Sequence, residues 1–167
     1  MRKPHAERSG ATMKADRSVT LREVTAANVR AVCALEVGEV QKRNVAPNAV
    51  SLAEAYVDSE VAWPRAVYAD EELVGFVMVY DPTVLEHPEE PDFFLWRLMI
   101  DRSAQGRGYG RAAVRLAIDH ARSRGAARIL VSHVKESAGL GAFYGSFGFA
   151  YTGREDERER YMALDLA

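Results

Sequence analysis

Residues 93–100, Phe-Phe-Leu-Trp-Arg-Leu-Met-Ile, are apolar at almost every position, which predicts a strand buried on both faces near the middle of a sheet. Residues 127–134 read the same way. Between them the period changes. From Gly110 to Arg124, Val114, Leu116, Ala117, Ile118 and Ala121 fall near one face of a helix, and Arg111, Arg115, Asp119, Arg122 and Arg124 fall on the other, with Gly125 as the stop. Strand, helix, strand implies parallel pairing through a right-handed crossover.

The flanking segments carry weaker patterns. Residues 19–24 alternate and predict a first strand, after which Thr25 caps a helix over residues 26–40. A loop at 44–48 precedes a second helix, capped by Ser51, reaching about Glu60 and closed by Trp63-Pro64. Residues 65–69 and 73–80 form a hairpin in which Gly75 marks a bulge or a close approach. An acidic, proline-rich connection over 81–92 leads into the central strand. After the second buried strand, residues 137–149 predict a short helix and a turn, where Gly139 and Gly141 imply that something packs against the backbone. A hairpin ends the chain: residues 150–152, a charged turn at 154–158, and residues 160–166 with Met162, Leu164 and Leu166 on one face.

The length of 167 residues suits one domain over 18–167, with polar, basic residues 1–17 as a disordered leader and Met13 as an alternative start. A net charge of −2 gives no general field for nucleic acid, and no apolar run approaches the ~20 residues of a membrane helix, so neither is an expected partner. Cys33 is the single cysteine and cannot form an intramolecular disulfide; a reducing cytoplasm is the expected compartment. His5, His87, His120 and His133 lack ligand spacing, and no metal is expected.

Candidate chemistry sits in the turn Gln105-Gly106-Arg107-Gly108-Tyr109-Gly110. A glycine turn at a helix start presents unpaired N–H groups and the positive end of the helix dipole, which together suit a pyrophosphate; Arg107 and Arg111 can add charge. A dinucleotide fingerprint would need G-x-G-x-x-G and an acid ~20 residues on. The glycines run G-x-G-x-G instead, and the next strand ends in Ser132 and His133. The remaining alternative is a turn serving only a tight strand-to-helix junction.

The spacing Gln105-x-x-Gly108-x-Gly110 resembles the Q/R-x-x-G-x-G/A signature of the GNAT acetyltransferase superfamily, and Phe143-Tyr144 with Phe147-Gly148-Phe149 resembles its F/L-Y-x-x-x-G-F segment. The element order over residues 19–167 is similar as well. The resemblance implies an α/β (α+β) fold: a mixed, mostly antiparallel sheet of about seven strands with a central parallel pair, and about four helices. It implies acetyl-CoA as cosubstrate. Leu98, Met99 and Ile100 would offer backbone groups to pantetheine, Gln105, Gly106, Arg107, Gly108, Tyr109, Gly110 and Arg111 would hold the pyrophosphate, and Tyr144, beside Phe143, would act as general acid. Ser137 stands where the superfamily often has Asn, and its hydroxyl would replace that contact. Without the motif, Tyr144 reads as a core aromatic.

Gln41-Lys42, Val45-Ala46-Pro47-Asn48, Ser51 to Tyr56 and Trp96 to Ile100 are similar to the polyamine branch of the superfamily. The function this implies is N-acetylation of a primary amine such as spermidine or spermine. Glu36, Glu39, Glu54 and Tyr56, with Asp58, Glu60 and Trp63 nearby in sequence, are the candidate acceptor-binding residues. Phe94 occupies the position at which histone-type relatives carry a basic glutamate, which leaves the base open between His133 and a water linked to Glu36, Glu54 or Asp92. Competing functions are acetylation of a protein amine, an amino acid or an aminoglycoside, and non-catalytic acyl-CoA sensing; Tyr144 argues for an enzyme. A homodimer is left open.

Overall fold

The computed structural model describes residues 17–137 and 139–167; the expectations for residues 1–16 and Ala138 lie outside them. In chain order come β1 (Val19–Glu23), α1 (Val29–Ala34), a 3₁₀ segment (Glu39–Arg43), α2 (Asn48–Val57), β2 (Ala62–Ala69) and β3 (Glu72–Tyr80). A second 3₁₀ segment (Pro82–Val84), β4 (Phe93–Ile100), α3 (Tyr109–Ser123), β5 (Arg128–Val134), α4 (Leu140–Gly145), β6 (Ala150–Glu155) and β7 (Glu159–Asp165) follow. The strands form one sheet in the order β1-β2-β3-β4-β5-β7-β6, antiparallel except for β4 and β5. This is the mixed sheet with a central parallel pair that the resemblance implied.

Helices cover both faces. Ala113, Val114, Ala117, Ile118 and Ala121 of α3 pack with Val77, Val79, Phe93, Leu95, Ile129 and Val131 on one side. Val32 of α1 and Ala55 of α2 pack with Ala66, Phe76, Met78 and Met99 on the other. Among the described residues, no helix is long and apolar enough to cross a membrane.

The parallel pair is short. Phe93, Phe94 and Leu95 pair with Ile129, Leu130 and Val131, and the pairing then stops. β3 nevertheless holds β4 as far as Ile100, and β7 holds β5 as far as Val134. Opposite Met78 and Val79 the register shifts, so that Trp96 is the extra residue on β4. Such a bulge bends the strand that carries it. Both strands thus stay anchored on their outer sides while they separate from each other, which opens a wedge in the sheet. The expectation that β4 is buried on both faces is corrected here: Phe94, Trp96, Arg97, Leu98 and Ile100 are only partly buried, because one edge of the strand borders this wedge.

The first helices also differ from expectation. The helix expected over residues 26–40 is the six-residue α1 followed by extended chain and the 3₁₀ segment. Asp101 accepts the Glu36 N–H at 2.9 Å, and Arg102 N–H donates to the Glu36 carbonyl at 2.7 Å, so this backbone bonds to the end of β4 instead of to itself. α2 starts at Asn48, not after Ser51, because Pro47 precedes a free first turn and Asn48 is buried, donating to the Val32 carbonyl at 2.8 Å. Trp63-Pro64 lies in β2, beyond the last residue paired with β1, where a missing N–H costs no ladder bond. Gly75 is a close approach, since a Cβ there would stand 2.5 Å from the Met99 carbonyl oxygen and 2.7 Å from Ile100 Cδ1.

Gly75→Ala should therefore push β4 away from β3 at the strand end that leads into the glycine turn. Overpacking of this kind costs about 1–3 kcal/mol. At ~2–4 °C per kcal/mol for a chain of this size, thermal unfolding should show a fall of several degrees.

Candidate active site

The wedge is the floor of an open cleft of about 1370 Å³, lined by β4, the glycine turn, the ends of β5 and α4, the segment from Gln41 to Pro47, and the β6–β7 turn. The Asp101 N–H bonds the Val74 carbonyl of β3, and the Met99 carbonyl faces Gly75, so by strand alternation Leu98 and Ile100 direct their amide groups away from β3. Beyond Leu95, among the described residues, no strand pairs with them on that side. The Ile100 carbonyl is taken by Gln105 Nε2 at 2.9 Å.

Gly106 and Gly108 have φ of 75° and 84°, values that glycine adopts at no steric cost, and Gly108 is the N-cap of α3. Among the described residues, no atom beyond the chain neighbours lies within 4 Å of the Cβ position of either, so the backbone can be approached closely. The N–H groups of Tyr109, Gly110 and Arg111, in the first turn of α3, have no intrahelical acceptor. Tyr109 buries its ring in the core and offers only its backbone. The Arg111 guanidinium lies over the Phe147 ring at 4.8 Å and donates to Ser146 Oγ at 2.9 Å. Arg107 donates to the Ser103 carbonyl at 3.2 Å and does not line the cleft, so its charge is one step removed from the turn it precedes.

The segment from Gln41 to Asn44 straps the cleft. Gln41 Oε1 accepts from Gln105 Nε2 at 2.8 Å on one lip, and Asn44 Nδ2 donates to Ser137 Oγ at 2.8 Å on the other. Ser137 therefore reaches the site through Asn44 and is not among the lining residues. On α4, Gly139 is a left-handed N-cap with φ 91°, and Gly141 lets the Tyr151 hydroxyl approach to 2.2 Å from where a Cβ would be. His133 is buried, with Nδ1 3.0 Å from the Val134 carbonyl and Nε2 3.0 Å from the Tyr151 hydroxyl. Since a carbonyl only accepts, Nδ1 carries the proton and Nε2 accepts from Tyr151. Both nitrogens are thus engaged.

Tyr144 sits at the cleft wall, 7% exposed, with Phe143 and Phe149 edge-on to it at 5.1 and 5.9 Å between ring centroids. Among the described residues nothing hydrogen-bonds its hydroxyl. Burial pushes its pKa up to about 12, which makes it a neutral donor at every ordinary pH. Against a free thiol of pKa ~8.5 it is a weaker acid than a solvated phenol, but a thiolate brought into the same dry wall is raised by the same burial, which narrows the gap.

The four candidate acceptor residues are not brought together. Glu36 is 3.6 Å from Arg102, Glu39 is 2.6 Å from Lys42, and Glu54 is 2.8 Å from Arg97, which alone of these six lines the cleft with Lys42. Tyr56 is 84% exposed at the end of α2, away from the cleft. Asp92 pairs with Arg128 at 2.5 Å. The acids that do line the cleft are Asp156 and Glu157, in the charged turn expected at 154–158, and Glu159, which follows that turn as the first residue of β7. The signal was present: if Met162 and Leu164 face the core, Glu159 and Tyr161 must face the other way.

A phenol held above its solution pKa in the folded state makes stability fall as pH rises. Below pH ~10 both states keep the proton; between ~10 and 12 the unfolded state loses it first, so unfolding becomes easier. Denaturant titrations from pH 9 to 12 should show Tyr144→Phe losing less stability than the parent, by an amount of order 2 kcal/mol.

Residues 35–149, well over half of the chain, match the model of the Acetyltransferase (GNAT) family. A probable spermine N(1)-acetyltransferase of Bacillus subtilis subsp. natto (strain BEST195) is 28% identical over 152 residues, covering 89% of this chain and 99% of that protein. The crystal structure of spermidine N-acetyltransferase from Vibrio cholerae in complex with CoA and spermine has the same fold, with a TM-score of 0.72 at 16% identity over 89% of this chain and 95% of that one. The ribosomal-protein-S18-alanine N-acetyltransferase of Escherichia coli does too, with a TM-score of 0.66 at 19% identity over 90% and 95%. With its interrupted parallel pair, its glycine-bounded helix start and the match of most of its length, the chain belongs to the GNAT acetyltransferase family and is an N-acetyltransferase.

Proposed function

We propose that this enzyme transfers acetyl from acetyl-CoA to a primary amine of a polyamine such as spermidine or spermine. The observation that carries the donor side is the placing of the open α3 N-terminus and the buried Tyr144 on the walls of one cleft, over the unpaired edge of β4. Gly106 and Gly108 leave room at the backbone that a Cβ would take up, which fits a pyrophosphate, and CoA accompanies related folds in their crystals. In this reading residues 105–111 hold the pyrophosphate and residues 98–100 offer backbone groups to pantetheine. The Leu98 and Ile100 amides polarise the acetyl carbonyl, and Tyr144 donates its proton to the departing sulfur.

The acceptor rests on different support. The curated relative is similar over nearly its whole length, and the far side of the cleft carries carboxylates. A polyamine brings the distal charge that such groups can hold, while its reacting nitrogen must be deprotonated. An alkylamine of pKa ~10.4 is about three units from neutrality near pH 7.5, a cost of about 4 kcal/mol. For Glu36, Glu39 and Glu54 to hold a distal ammonium, their present ion pairs must exchange partners.

Two substitutions separate the roles. Gly108→Val should raise the KM for acetyl-CoA, since a branched side chain both strains a positive φ and fills the approach. Tyr144→Phe should instead lower kcat by ~10²–10⁴-fold with the ring retained. CoA affinity unchanged in a folded Gly108→Val protein, or kcat within about twofold of the parent in Tyr144→Phe, would remove the respective assignment.

The acceptor is tested with a panel and thiol detection. At low salt, kcat/KM for spermidine should exceed that for a monoamine of similar length by about tenfold, and salt should narrow the margin. A lysine peptide or monoamine equal to spermidine would redirect the acceptor and leave the acetyltransferase intact.

A further inference from the structure

We propose that Glu159, the first residue of β7, is the carboxylate that takes the proton from the acceptor amine; this rests on the acetyltransferase reading above. Its side chain is half-buried and lines the cleft. Ser132 Oγ donates to its Oε2 at 2.8 Å, which leaves the other oxygen open. Among the described residues, no Lys, Arg or His nitrogen lies within the 4.0 Å of an ion pair with it, whereas Glu36, Glu39, Glu54 and Asp92 are each paired with a cation. Asp156, its neighbour at the turn, accepts the N–H groups of Arg158 and Glu159 at 2.7 Å each and the Tyr161 hydroxyl at 3.4 Å. Asp156 is thereby committed to holding the turn, and it fixes the backbone from which Glu159 projects.

Position in the sheet makes the assignment specific. Glu159 is in register with Val134, and Ser132 is the first residue of β5 past the point where β4 departs. Val131 belongs to the core that contains Tyr144, so by strand alternation Ser132 and the carboxylate it holds stand on the opposite face of the sheet. Proton acceptor and proton donor thus approach the wedge from opposite faces. The reaction needs that arrangement, because the amine enters on one side of the thioester carbonyl and the sulfur leaves on another.

An ammonium enters with three protons on nitrogen and the amide leaves with one. Glu159 takes the first and passes it to solvent, freeing the lone pair that forms the C–N bond. As the C–S bond breaks, its electron pair goes to sulfur, and Tyr144 protonates that sulfur. The second nitrogen proton leaves by the same carboxylate, and Tyr144 is reprotonated from solvent. One proton is released for each acetyl group transferred.

The experiment compares the parent with Glu159→Gln, Glu159→Ala and Ser132→Ala, using spermidine at saturation and calorimetry of CoA binding to confirm an intact donor site. Glu159→Gln should lower kcat by about 10²-fold, in the range of a lost general base, with CoA affinity within about twofold. Ser132→Ala, which frees the carboxylate without removing it, should lose only about threefold to tenfold. Formate added to Glu159→Ala should restore part of its rate and leave the parent unchanged, which a merely structural role would not produce. A kcat for Glu159→Gln within about threefold of the parent, a loss confined to the acceptor KM, or no effect of formate overturns the assignment while the polyamine reading stands. A parent that acetylates no amine overturns both.

Discussion

Everything at the cleft depends on β4 and β5 parting company after Leu95 and Val131. A sheet interior normally pairs every backbone group, and an unpaired edge inside one would be costly unless water or a ligand reached it. Here the separation is enforced from outside. β3 grips β4 to its last residue, β7 grips β5 to its last residue, and the register shift at Met78 and Val79 bends β4 around Trp96. In the proposed reading, the released edge takes the pantetheine arm of the thioester as a substitute strand. Binding of that kind uses hydrogen bonds the fold has already left open, so little reorganisation is needed.

The same geometry explains how one helix end and one tyrosine come to share a cleft. α3 crosses from β4 to β5, so its N-terminus must lie at the end of β4 where the wedge opens. α4 follows β5 and returns on the α3 side, and the Ser146 hydroxyl, accepting from Arg111 while donating to the Phe143 carbonyl, ties the two helices at the cleft. Tyr144 is buried by this packing. The burial that raises its pKa also fixes its hydroxyl, so position and protonation have one cause.

Local chemistry made the donor half legible in the sequence. The apolar run 93–100 became β4 with the same ends, the glycine turn became the N-cap of α3, Gly125 takes a positive φ after it, and Gly75 and Gly141 both face atoms too near for a Cβ. The strand and the glycine turn are signals that lie within a few residues of their effect, and the two close-approach glycines are marked by their own residue type although they face Met99, Ile100 and Tyr151. The misread segments are those governed by distant partners. α1 ends early because Asp101 and Arg102, more than sixty residues on, take the backbone of Glu36. Ser51 looked like a cap but is buried within α2. The acidic residues expected on the first two helices are neighbours only in sequence, and the fold gives Glu36, Glu39 and Glu54 each its own cation.

Acceptor choice is hard to read for the same reason that it can vary among related enzymes. The donor half comes from β4, α3 and α4 and their short motifs, and it is what an acetyltransferase must keep. In the proposed reading the acceptor side is assembled from the Gln41–Pro47 segment, the Phe94 and Arg97 face of β4 and the β6–β7 turn, which line the cleft together only in the folded chain. A polyamine acetyltransferase and a ribosomal-protein acetyltransferase can therefore have this fold at similarly low identity. Charge around that second half is partitioned: Glu36, Glu39 and Glu54 each sit beside a cation and outside the cleft lining, whereas Asp156, Glu157 and Glu159 line the cleft with no cation within ion-pair distance among the described residues. The last of these begins β7, where strand alternation turns Glu159 toward the cleft while Met162 stays in the core.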